Sequence, residues 1–131
     1  MAGTIVANTI NTDTAGAVFT TNNAFNGIAK AWVNFNGSPA SPTIRASLNV
    51  SSVTKISTGF YTVNFTTAFA DTNYCAVLGH NLATDGSGDS GISPQISSYN
   101  ANPMTTTYII LGLLYSGGGY DCNTVTAAIF R

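Results

Sequence analysis

Apolar and polar residues alternate with a period of two along much of the chain. In AWVNFN (Ala31–Asn36), Val33 and Phe35 fall on one face, while Trp32, Asn34 and Asn36 fall on the other. FYTVNFT repeats the pattern with Tyr61, Val63 and Phe65 against Thr62, Asn64 and Thr66, and TVTAAIF with Val125, Ala127 and Ile129. A period of two belongs to a half-buried β-strand. Two further runs, YCAVLG (Tyr74–Gly79) and YIILGLLY (Tyr108–Tyr115), are continuously apolar and read as strands covered on both faces or central in a sandwich. The threonines Thr105–Thr107 before the second run and Gly117–Gly119 after it favour a strand over a buried helix.

Turn signals separate these runs: NGSPASP, STG, DGSGDSG, NANP and SGGGYD. Short strands punctuated in this way predict an all-β sandwich or barrel, and of the two an antiparallel β-sandwich of jelly-roll-like kind over residues 27–131 is the expectation. The expected core face unites Tyr61, Val63 and Phe65 with Val33 and Phe35. Residues 1–26 differ in texture. They are rich in Thr and Asn, with thin hydrophobicity at Ile5, Val6, Ile10, Val18 and Phe19. Such a segment buries too little to fold alone, so it reads as an extended N-terminal arm for assembly or attachment, with Ile5, Val6 and Ile10 as contact residues.

Composition sharpens the picture. A chain of 131 residues is most simply one domain with an arm. Only 7% of residues are charged, against about 25% in ordinary domains. There is no Glu, and the bases are Lys30, Arg45, Lys55 and Arg131 alone. Exposed polarity therefore rests on Thr, Ser and Asn, which suit strands, turns and surfaces that other protein covers. A net charge of −1 gives no footprint for nucleic acid. No apolar run is long enough to span a membrane, and the first residues lack the plan of a secretory signal. Synthesis in the cytoplasm follows, so Cys75 and Cys122 read as thiols rather than a bridge. The sequons at Asn49 and Asn64 then have no acceptor role.

Candidate chemistry is sparse. GDSG (Gly88–Gly91) looks like a serine-protease nucleophile region, but that chemistry needs a His base oriented by an Asp. His80 is the sole histidine and lies ten residues before Ser90. A polar Gly-rich loop is the better reading. Asp85, Asp89 and His80 offer carboxylate and imidazole ligands, yet DGSGD lacks the spacing and closing Glu of a calcium loop. Two cysteines and one histidine fall short of a zinc site. No metal, no cofactor and no catalytic residue is expected.

Aromatic residues offer more. Trp32 alternates with Asn34 and Asn36, so it either fills the sandwich interior or belongs to a stacking or intersubunit surface. Tyr61, Tyr74 and Tyr108 sit in strand patterns, whereas Tyr99, Tyr115 and Tyr120 border loops. The segments His80–Pro94 and Tyr115–Asp121 each interrupt two apolar strands, and loops of a sandwich gather at its ends. They are expected to form one tip in which His80, Asp85, Asp89, Tyr115 and Tyr120 bind a partner.

The runs GIAKAWVNFNG, IRASLNVSSV and STGFYTVNFTTAFADTNYCAVLG resemble a domain of bacteriophage virion proteins, particularly tail fibres and small fibre-like proteins. The likeness covers Gly27 to His80, and GTIVANTINTDT is similar to segments preceding that domain. SPASP (Ser38–Pro42) departs from the shorter turn of the pattern. The resemblance implies a non-enzymatic homotrimer in the virion, in contact with other tail or capsid proteins. Two roles follow as expectations. One is a tail-fibre-like protein binding a host surface glycan or protein through the tip loops. The other is a capsid decoration (cement) protein, which the short chain favours.

Overall fold

The computed structural model describes the backbone of residues 9–11 and 18–20, and residues 27–81, 91–99 and 101–131 in full. Ile5, Val6, Asp85, Asp89 and Ser90 lie outside the described residues, as does most of the expected arm. Among the described residues the elements are eleven strands and no helix. Strands β1 (Thr9–Asn11) and β2 (Val18–Thr20) pair with each other as a separate two-stranded sheet. The rest is an antiparallel β-sandwich.

One sheet has the order β4-β3-β11-β7, from β3 (Ala31–Asn36), β4 (Thr43–Leu48), β7 (Cys75–Asn81) and β11 (Thr124–Phe130). The other has the order β10-β9-β6-β5 with β8 on the free side of β9. Its strands are β5 (Val50–Ser57), β6 (Phe60–Phe65), β8 (Ser93–Ile96), β9 (Tyr108–Tyr115) and β10 (Gly118–Gly119). The sandwich is as the periodicity predicts. Its strand order differs from a jelly roll, in which most consecutive strands lie in opposite sheets. Here the pairs β3–β4, β5–β6 and β8–β9 each stay within one sheet. The chain changes sheets between β4 and β5 through one residue, Asn49, at φ 53°. Its side chain holds the corner by accepting from Thr67 N and donating to the Thr67 carbonyl. Asn tolerates this left-handed backbone better than most residues.

The core face predicted from the period of two is the observed one. Val33, Phe35, Tyr61 and Val63 are at most 1% exposed and Phe65 is buried. Ile109, Leu111, Leu113, Val125, Ala127 and Ile129 complete it from β9 and β11. The two continuously apolar runs have different explanations. In β9 the inner residues are Ile109, Leu111 and Leu113, while Ile110 on the outer side is also buried. The segment between β8 and β9 folds over that side: Ile110 accepts from Ser97 N and donates to the Pro103 carbonyl, and Tyr99 stacks on Phe60 at 4.2 Å. β7, in contrast, is an edge strand, with Cys75 and Val77 exposed on its outer face. The expectation that it is covered on both faces is corrected: its apolar outer residues belong to an exposed surface.

Candidate functional site: a loop tip and an apolar flank

Antiparallel register places the ends of the strands in two groups. At one end lie the segments 37–42, 58–59 and 116–123, with the last residue of β7, Asn81, and Gly91–Ile92 before β8, and Gly37 N joins the two sheets there by donating to the Cys122 carbonyl. The opposite end carries the Asn49 corner, residues 66–74, the Arg131–Asp71 ion pair and the approach to β3 at residues 27–30. Lys30 N donates to the Ile129 carbonyl there, so the chain enters β3 from the end opposite the first group.

The tip is built on a polar anchor. Asp121 Oδ1 accepts from Gly59 N at 2.8 Å and from the Tyr61 hydroxyl at 2.7 Å, and Lys55 Nζ stands 2.5 Å from Oδ2. The Tyr61 hydroxyl is also 3.0 Å from the Gly37 carbonyl. Its single proton goes to the carboxylate, the shorter and charged contact. Desolvation opposes ionisation of Asp121, but the hydrogen bonds from Lys55, Tyr61 and Gly59, with the lysine charge, outweigh it and hold the carboxyl below its ordinary range. Burial, then the bond to Asp121 and its charge, push the Tyr61 phenol far above its ordinary value. The anchor is therefore an ion pair with a neutral phenol at neutral pH. It fixes three loops and supplies no acid–base group.

Two glycines make the approach of these loops possible. A side chain at Gly59, which has φ +75°, would meet Tyr120 N and the Leu113 carbonyl. The turn linking β9 to β10 has positive φ at both Ser116 (48°) and Gly117 (82°), the requirement of a two-residue type I′ hairpin. That hairpin presents Tyr115 and Tyr120 edge to face, with ring centroids 6.0 Å apart. They are 50% and 40% exposed. Gly91, just before β8, lies against the pair, since a Cβ there would stand 3.3 Å from the Tyr115 ring. A rigid pair of aromatic rings over a hydrogen-bonded base can stack on sugar or apolar side chains and donate two phenol hydrogens.

β7 extends to Asn81, and His80 pairs with the buried Val125, in the inward register of Ala76 and Leu78. Its Nε2 is buried without a hydrogen-bond partner. His80 thus stands half-buried at the tip end of β7, one residue before the strand ends, with Nε2 on the inward side. Among the described residues no group of three metal-ligating side chains comes together. Neither cysteine is in a disulfide: Cys75 is exposed at the end where the chain enters β3, and Cys122 is buried beneath the tip.

Trp32 lies on the outer face of its sheet, 37% exposed, and the reading that places it in the interior is corrected. Register aligns Leu48, Trp32, Ala128 and Val77 in one row across four strands. Leu48 and Val77 are 48% and 63% exposed. With Gly79 and Ala128 small, the row leaves a shallow groove of about 400 Å³ between Trp32 and Val77. Nearer the tip the same face turns polar, where Arg45 reaches across β3 to Asn34, Thr124 and Asn123. Sequence reasoning missed Arg45, Lys55 and Asp121. The only signal was their scarcity as charges in strand and turn runs, and their partners are distant along the chain. Comparison with known proteins finds no matching family model, no matching curated protein and no matching solved structure.

Proposed function

We propose that the protein is a non-enzymatic structural component of a bacteriophage virion, tail-fibre-like, that works as a homotrimer and contacts a host surface glycan or protein through its tip. The observation that carries this reading is the opposition of the two ends. The chain enters β3 at one end, while an exposed Tyr115–Tyr120 pair sits on an anchored base at the other. A molecule attached by its arm presents that pair outward. Rigid tyrosines beside Ser- and Gly-rich segments give contact area at low entropic cost, with adaptable hydrogen bonding, as recognition loops do. The sequence resemblance to fibre-type virion domains supports the same role. No catalytic constellation is proposed, since the anchor's groups are committed to one another.

Capsid decoration is the second reading, and the apolar row of Leu48, Trp32 and Val77 favours it, because a clamp over capsomer junctions needs an apolar side as well as an end. Copy number on a stained gel of purified virions separates the two. A fibre role predicts few copies per particle; a decoration role predicts copies in proportion to capsomers. Absence of the protein from purified virions would overturn both.

A further inference from the structure

We infer that the Trp32 flank is the seat for the N-terminal hairpin of a second copy of this chain, in a head-to-tail contact. The inference rests on the homotrimer reading above and names the surfaces that make it. Two parts of the molecule are each incomplete. Among the described residues β1 and β2 pair only with each other, with Ile10 opposite Phe19 in register. A two-stranded hairpin alone is marginal in water and needs an apolar surface beneath it. The sandwich meanwhile leaves Leu48, Trp32 and Val77 exposed in one row. Exposed apolar residues gathered in a patch mark an interaction surface.

Position and charge connect the two parts. The chain enters β3, the strand that carries Trp32, through residues 27–30, and Ile28 there is itself 59% exposed. The row lies in the half of the face nearer that entry, away from the Arg45 cluster. The arm has no Lys or Arg and a single acid, Asp13, so no ion pair is needed to seat it. Among the described residues the hairpin pairs with no strand of the sandwich and the row stays exposed, so the occupant assigned to the row is the hairpin of a neighbouring copy. An arm-to-flank contact is heterologous, and such contacts close into rings when the rotation permits, three copies forming a trimer.

Trp32 is the sole tryptophan and reports on the seat directly. Light scattering and acrylamide quenching of the full chain test the inference with two variants, Ile10→Asp in the hairpin and Val77→Asp on the flank. Val77 is exposed, and the urea midpoint of each variant checks that the sandwich is intact. The full chain is expected to be oligomeric, with blue-shifted Trp32 emission shielded from quencher. Each variant alone is expected to be monomeric, and Ile10→Asp to show red-shifted, accessible Trp32. Mixing the variants pairs an intact hairpin with an intact flank, so a two-chain species should return together with shielding of Trp32. A full chain that is monomeric would overturn the inference, whether Trp32 is open or is covered by its own arm. So would a mixture that stays monomeric. An oligomer that persists in both variants would overturn this contact while leaving the trimer reading in place.

Discussion

At the scale of single residues, stability rests on side chains from both sheets meeting between them. Phe65 packs edge to face on Phe69 at 4.7 Å and on Tyr74 at 6.0 Å. Phe65→Ala is expected to cost about 3–5 kcal/mol, read as a lowered urea midpoint; Asn64→Ala on the opposite face should cost far less. Asp121 sets an acid limit. Its folded carboxyl titrates below its unfolded value of about 3.9, so the unfolded chain binds the extra proton. The stabilisation is complete above the unfolded value and is lost as pH falls through the folded one. Urea midpoints measured at decreasing pH should therefore fall below the ordinary carboxylate range. Asp121→Asn should be less stable at neutral pH and flatten that decline. Asp71, held down chiefly by its bond from Arg131, acts in the same direction but is exposed, so the Asp121 substitution should remove the larger part.

At the scale of elements, the strands were legible because period-two alternation survives wherever one face is buried. β3, β6 and β11 could be read residue by residue. What alternation does not encode is the neighbour of each face. The runs in β7 and β9 look alike in sequence, yet one is an edge strand with Val77 in solvent and the other lies beneath the Ser97–Tyr99 segment. The end of β7 was hidden for a related reason: the Gly- and Asp-rich run reads as a loop beginning at His80, while pairing carries β7 to Asn81. The tip segments were visible as turns, but the Lys55–Asp121–Tyr61 anchor was not, since it joins residues brought together only by sheet packing. Glycine chemistry predicts how fragile this end is. Gly59→Ala would place a methyl against the backbone of Tyr120 and Leu113, atoms that cannot turn aside. It is expected to cost about 2 kcal/mol or more, and the loss should appear in thermal melting.

At the scale of the whole molecule, three surfaces are differentiated: the end where the chain enters β3, an apolar flank and an aromatic tip. In the function we propose, the tip meets the host surface. Tyr115 and Tyr120 are half-exposed and outside the core, so Tyr115→Ala/Tyr120→Ala should keep the fold, melting within a few degrees of the parent. The most direct measurement is competition: purified protein is added to host cells before the phage, and adsorption is counted. The account predicts that the parent chain blocks adsorption and that the double variant, folded and in the same oligomeric state, does not. Equal blocking by both, or blocking by neither, would contradict it.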